Sequence, residues 1–209
     1  MAIEDFEKSG SERHKQRLVS AFRLAQTIYE RLLAEHSDRV AKLAARVAAL
    51  LDLDQSDRDV AARAGAVHDL GKFGISPSLL RRTGPLSDKE RTEVERHPVI
   101  GAEMLLAISP GLASSAAAVR AHHERWDGGG YPDGLKGEDI PRLGRVLAVV
   151  DVYDALTSLR PYRDSIYTPA QAVAYLKDNS GTQFDPICVS AGLEVLLAEA
   201  IGRRHFSLT

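Results

Sequence analysis

The sequence predicts an all-α fold, and three observations carry that reading. Apolar residues recur three and four apart through most of the chain, the period of a helix with one buried face. No stretch alternates apolar with polar residues convincingly enough for a strand. Proline and glycine gather between the periodic runs, where a helix has to stop.

Residues 1–17 are charged and weakly patterned, and are expected to form a flexible segment ahead of a single domain over 18–209. From Leu18 the apolar positions Phe22, Ala25, Tyr29, Leu32 and Leu33 recur at helical spacing. That helix can act as a linker, mediate a homodimer, or pack on its own domain. A second amphipathic run carries Val40, Leu43, Ala44, Val47, Leu50 and Leu51, with His36 near its start. An acidic turn over 52–57 follows, with Ser56 or Asp57 placed to cap a helix through Val60 to Val67. Ile75 to Leu86 holds two prolines and a glycine and reads as a loop around a short helix from Ser78 to Arg81. Ser87 and Glu90 have the spacing of a capping box, which opens a helix to about Ile108, interrupted at His97-Pro98. Pro110 and Gly111 break the chain ahead of a helix from Leu112 to Glu124. Residues 126–139, rich in glycine and aspartate, read as a loop. Pro141 suits the first turn of a helix to about Ser158. Thr168-Pro169 opens another to about Lys177, 181–186 turns, and Ile187 to Ala200 is a final apolar helix.

Composition narrows the function. At 209 residues, 44% hydrophobic and 27% charged, the chain can bury a core of ordinary size. A net charge of -2 offers no bulk attraction for a nucleic-acid polymer or an anionic membrane. No run approaches the ~18 apolar residues of a membrane span, and the first ten residues lack the apolar core of a signal peptide. The single cysteine, Cys188, allows neither an internal disulfide nor a thiolate cage. A cytoplasmic location is expected.

The chemistry centres on Val67-His68-Asp69-Leu70-Gly71-Lys72, where an apolar helix delivers an imidazole and a carboxylate side by side. Both are good ligands for a divalent metal. Gly71 lets the backbone turn sharply, and Lys72 can place an ammonium beside an anionic substrate. His36, His97, His122, His123 and Asp151 supply further ligands. Consecutive His122 and His123 can serve one cluster only at a helix end. Pro98 biases His97 out of the helical region. Asp151 interrupts an apolar helix face, where a lone carboxylate is costly unless paired or metal-bound. The ligands divide into His36, His68, Asp69 and Asp151 for one ion, and Asp69 as a bridge with His97, His122 and His123 for a second. Two ions ~3.5–4 Å apart can hold a bridging hydroxide and polarise a phosphoryl oxygen. Nitrogen and oxygen ligation suits iron or manganese, and also nickel, cobalt or zinc.

These motifs resemble the HD-GYP domains, a branch of the HD metal-dependent phosphohydrolases of bacterial signalling. The resemblance spans about His36 to Pro186. It rests on His-Ser-Asp-Arg-Val at 36–40, His-Asp-Leu-Gly-Lys at 68–72 and His-Pro-Val-Ile-Gly at 97–101. It continues in His-His-Glu-Arg-Trp-Asp-Gly-Gly-Gly-Tyr-Pro at 122–132, Asp-Val-Tyr-Asp-Ala-Leu-Thr-Ser at 151–158, Arg-Pro-Tyr-Arg at 160–163 and Gly-Thr-Gln-Phe-Asp-Pro at 181–186. It implies a helical HD bundle with the HD-GYP extension and a substrate, cyclic di-GMP, hydrolysed to pGpG or on to GMP. The family's metal ligands fall on the same seven positions: His36, His68, Asp69, His97, His122, His123 and Asp151. Asp69 and Lys72 are the expected catalytic residues, with Lys72, Arg160 and Arg163 facing phosphate and Tyr131, on a flexible loop, stacking on guanine. Trp126 can stack likewise or anchor that loop in the core. Asp154 is placed to hold a ligand histidine, while Gln183 and Asp185 suit a structural turn. Some members bind a third metal through a glutamate one turn before the first histidine. Here that position is Leu32, which implies a dinuclear centre and pGpG as the main product. Family members usually carry a sensory domain upstream and none fits in residues 1–35, so three expectations stand: the chain acts alone, a separate sensory domain or diguanylate cyclase regulates it, or the sequence is an excerpt. Two alternatives stand beside this: a cyclic di-GMP sensor without turnover, and a hydrolase of another cyclic dinucleotide or nucleotide.

Overall fold

The computed structural model describes residues 31–80, 82, 84–158 and 166–206, with the backbone alone at 31–34 and 199–206. The segment over 1–17, most of the Leu18–Leu33 run, Arg160, Arg163 and the Leu32 side chain lie outside that description. The described residues are all-α and contain no strand, only an isolated bridge between Ser180 and Phe184.

Helix α1 (Arg31–Leu50) runs unbroken through the expected gap between Leu33 and His36, so His36 lies just over one turn inside its described length. Its face of Val40, Leu43, Ala44 and Val47 is buried, each such valine or leucine contributing roughly 1.5–3 kcal/mol. It packs on α2 (Gln55–Val67). The cap of α2 is Asp54, not Ser56 or Asp57. Asp54 has extended backbone angles, and its carboxylate accepts the Asp57 N–H, which has no partner inside the first turn. Short α3 (Pro77–Leu80) leads to α4 (Asp88–Val94), whose Ser87–Glu90 capping box is present, and then to α5 (His97–Ile108). Helix α6 (Ala113–Ala121) is shorter than expected. Leu112 belongs to a 3-10 turn over Pro110–Leu112, and His122 caps the other end.

Helix α7 (Arg142–Thr157) is the central element. Val146, Leu147, Val149, Val150, Tyr153 and Leu156 bury one side of it and Gly144 and Ala148 much of the other, as expected of a helix that is apolar on most sides. It touches α1, α2 and α6, and also α8 (Pro169–Asp178) and α9 (Pro186–Phe206). Thr168 and Gln171 form a second capping box at the start of α8. Against this apolar background the carboxylates of Asp151 and Asp154 stand out, because both must be neutralised where they sit. No helix among the described residues is long and apolar enough to cross a membrane.

Candidate metal centre

Helix ends deliver most of the predicted ligands to one place. His68 caps α2, His97 opens α5, and His122 caps α6 with His123 beside it. Helices α1 and α7 contribute His36 and Asp151 from their sides. Two groups result, each with donor atoms within 4.8 Å of one another: His36, His68 and Asp69, and His97, His122 and His123. Asp69 reaches both, with Oδ2 at 3.5 Å from His68 Nε2 and Oδ1 at 3.6 Å from His97 Nε2. Asp151 Oδ1 stands 3.1 Å from His36 Nε2 and 3.6 Å from His68 Nε2.

Gly71 makes this convergence possible, though not through a sharp turn. It lacks the left-handed backbone found at Gly128 or Gly181. Instead the 3-10 turn over Leu70–Gly74 presses against the start of α5. A Cβ at Gly71 would lie 1.9 Å from the His97 carbonyl oxygen and 2.5 Å from the Gly101 nitrogen. Glycine is required for close approach.

The imidazoles are aimed by their outer nitrogens. Nδ1 of His68, His97 and His122 donates to the carbonyl three residues back, at Gly65 (2.8 Å), Val94 (2.8 Å) and Val119 (2.5 Å). His36 Nδ1 donates to Asp154 Oδ2 at 2.7 Å. With the proton of each neutral ring committed to Nδ1, its Nε2 lone pair points inward. His97 and His122 turn these nitrogens towards one another at 3.4 Å. His68 Nε2 is buried without a hydrogen-bond partner. Facing lone pairs and an orphaned nitrogen are unfavourable alone and fit a cation between them. Ligand atoms bound at ~2.1 Å to one ion stand about 3.0–3.5 Å apart in octahedral or tetrahedral geometry, close to the separations here. The residues fit a metal.

The electrostatics agree. Burial, aided by the neighbouring histidines, holds His122 well below the usual imidazole pKa, and burial likewise lowers His97 and takes His123 to about 4. All three present the neutral, ligating form. Burial opposes a charged His36, but Asp151 and Asp154 outweigh it and push its pKa up to about 9. That side of the centre favours positive charge. Burial also opposes ionised Asp69 and Asp151, yet Lys72 and the histidines for Asp69, and His36 and His68 for Asp151, keep both carboxyls low.

Lys72 Nζ pairs with Asp69 Oδ2 at 2.7 Å. Tyr131 lies over His123, ring centroids 4.9 Å apart and planes tilted by 31°. Its loop, expected to be flexible, is tied down. Buried Glu124 accepts the Asp133 N–H at 2.7 Å and the Leu135 N–H at 3.1 Å, and Arg120 pairs with Asp133. The Trp126 backbone pairs with Gln183 and Gly137, and the Arg145 guanidinium sits 5.7 Å from its ring centroid, so Trp126 anchors the loop. Gln183 and Asp185 hold the turn, through Tyr175 and through Arg145 with the Ile187 N–H. Arg39 and Glu124 lie inside the recognised motifs, and sequence reasoning did not single them out. Their signal was a charged residue one to three positions from a candidate ligand on a largely buried element.

The model of the HD domain family matches residues 23–187. The cyclic di-GMP phosphodiesterase response regulator RpfG of Xanthomonas campestris pv. campestris is 42% identical over 155 residues, covering 74% of this chain and 41% of its own length. The 3'3'-cGAMP-specific phosphodiesterase 2 of Vibrio cholerae is 39% identical over 160 residues, 76% of this chain and 30% of its own. The solved structure of a HDG"Y"P protein from Bdellovibrio bacteriovorus matches with a TM-score of 0.61 at 18% identity, over 77% of this chain and 51% of that one. The chain therefore spans less than half the length of the two curated relatives.

Proposed function

The chain belongs to the HD domain family, in its HD-GYP branch, and from that premise we propose that it is a metal-dependent phosphodiesterase acting on cyclic di-GMP. One observation carries the proposal: two groups of imidazole and carboxylate donors adjoin and share Asp69. His36, His68, Asp69 and Asp151 would hold one ion, and Asp69, His97, His122 and His123 the other. The absence of thiolate favours iron or manganese, with nickel, cobalt and zinc also compatible. When bound, the ions supply Lewis-acid polarisation of a phosphoryl oxygen and lower the pKa of water.

The chain's own residues do the rest. Lys72 holds its ammonium at the rim of the centre, placed to meet charge developing on the phosphate or the departing ribose oxygen. Asp69, kept ionised by Lys72 and within reach of both groups of histidines, would be shared by the two ions. Tyr131 offers a ring face beside His123 on which a base can stack. Arg160 and Arg163, next along the chain after α7, would clamp phosphate with paired N–H donors. With two ions and Leu32 before His36, pGpG is the proposed main product.

A second reading has a specific motive. Relatives named for cyclic di-GMP and for 3'3'-cGAMP stand at 42% and 39% identity, too close to choose between the second bases. The test is turnover of each dinucleotide by protein purified without oxygen and loaded with Fe(II) or Mn(II), with products resolved by chromatography and a His68→Ala/Asp69→Ala variant as control. Metal-dependent pGpG lost in the variant supports the proposal. Faster turnover of cGAMP shifts the substrate. Tight dinucleotide binding without turnover in loaded protein overturns it in favour of a sensor.

A further inference from the structure

Three ligand histidines are aimed by local means. His68 and His122 cap their helices, and Val94 lies at the end of α4, so each Nδ1 meets a backbone carbonyl that has lost its helical partner. His36 has no such recourse. It lies inside α1, where the carbonyls one turn back are engaged by the helix itself. Its Nδ1 relies on a side chain from another helix, Asp154 of α7.

Asp154 is held in turn. Its Oδ1 accepts Arg39 Nε at 2.6 Å, and its Oδ2 accepts Arg39 Nη2 at 2.9 Å, His36 Nδ1 at 2.7 Å and Ser158 Oγ at 3.1 Å. Arg39 Nη2 also donates to Ser158 Oγ at 2.9 Å. The fork grips both carboxylate oxygens, which fixes the carboxylate plane as a single donor would not. Arg39 follows His36 by three residues on α1, and Ser158 follows Asp154 by four at the end of α7, so the four side chains form a rung across the α1–α7 crossing. Asp151, three residues before Asp154 on α7, meets the opposite nitrogen of the same imidazole at 3.1 Å.

We propose that Arg39 is a positioning residue for one half of the metal centre: through Asp154 it orients His36, and occupancy of the half holding His36 depends on it. The half formed by His97, His122 and His123 does not. This rests on the dinuclear reading above.

The test is Mn(II) binding to the full chain, by calorimetric titration and electron paramagnetic resonance. The wild type should bind two ions and give a spin-coupled spectrum. Arg39→Met, which keeps the stem and removes the fork, should weaken one ion by about 10–100-fold, the usual effect of losing such a partner. The other ion should keep its affinity and give the signal of an isolated Mn(II). Arg39→Lys should fall between, since one ammonium cannot hold two oxygens at once. Asp154→Asn should lose the same ion and serves in place of Arg39→Met if that variant does not fold. Two ions at wild-type affinity with the coupled spectrum intact would overturn the proposal. So would equal weakening of both ions in protein with native helical circular dichroism, the signature of a merely structural role. Fewer than two ions in the wild type would remove the dinuclear premise, and the proposal with it.

Discussion

Adding one methyl group at Gly71 should separate the halves of the metal centre without changing any ligand side chain. The new Cβ would start 1.9 Å from the His97 carbonyl oxygen and 2.5 Å from the Gly101 nitrogen, and real Cβ contacts stay beyond about 3.0 Å. Relief therefore needs a displacement of about 1.1 Å, and both obstacles are backbone. The parts that must move are the turn bearing His68 and Asp69 and the start of α5 bearing His97. Metal sites tolerate roughly 0.2 Å in ligand distance, and a displacement of ~1 Å in a catalytic group costs about 10²-fold. Gly71→Ala should thus lower turnover by about 100-fold or more and weaken at least one ion, while overpacking destabilises the fold by about 1–3 kcal/mol. Gly74→Ala is the matched control. Its Cβ would meet only the Ile100 side chain, at 3.0 and 3.1 Å, and that side chain can yield. Thermal melts, Mn(II) titration and cyclic di-GMP turnover on both variants make the comparison. A Gly71→Ala protein with two ions at wild-type affinity and turnover within about threefold of wild type would refute close approach as the reason for this glycine.

Other consequences follow from single contacts. Lys72→Met should cut kcat by about 10²–10³-fold with both ions retained, and should make the melting temperature more dependent on added metal, because buried Asp69 loses its partner. Retained kcat would leave Lys72 a structural counter-ion. Glu124→Ala leaves the Asp133 and Leu135 N–H groups without their acceptor, at about 1–3 kcal/mol for each one left unsatisfied. Their amide hydrogens should exchange faster while those of α1 and α2 do not, and unchanged exchange would show the loop held by other contacts. Burial, then Asp185, pushes the Cys188 thiol up to about 12. Since the unfolded thiol ionises near ~8.5, this stability is complete below that pH and is lost as pH rises towards 12. Native protein at pH 8 should resist iodoacetamide, and alkylation at the denatured rate would contradict the buried placement.

Local signals were legible where the chain states them locally. The Ser87–Glu90 box and the Thr168 cap follow from spacing alone, because capping is satisfied within four residues. The acidic turn after α1 was harder. Asp54, Ser56 and Asp57 are all competent caps, and only the extended backbone at Asp54 selects among them. The continuity of α1 through His36 was hidden for a related reason. His36 and its neighbour Ser37, both buried, break the apolar count without breaking the helix. Gly71 shows the limit most clearly: glycine is compatible with a turn and with close packing, and the second depends on where α5 passes.

The seven proposed ligands stand out in the sequence because metal chemistry restricts residue type so strongly that their joint presence is informative before any contact is known. The residues that aim them carry no such restriction. Arg39 acts on a carboxylate 115 residues away, and in sequence it is one more charged position on an amphipathic helix. Glu124 acts nine and eleven residues ahead, across a loop whose path the glycines leave open. What exposes both is a balance that sequence cannot draw up. Asp154 and Glu124 are buried, a buried carboxylate must be satisfied, and the groups that satisfy them are the ones that fix His36 and the loop bearing Tyr131. The same demand bears on α7, the central helix of the core, which carries the two carboxylates that bracket His36. Placed in the middle of the molecule, each can be neutralised only by a partner from a neighbouring helix, and that obligation ties the packing of α1 on α7 to the geometry of the metal centre.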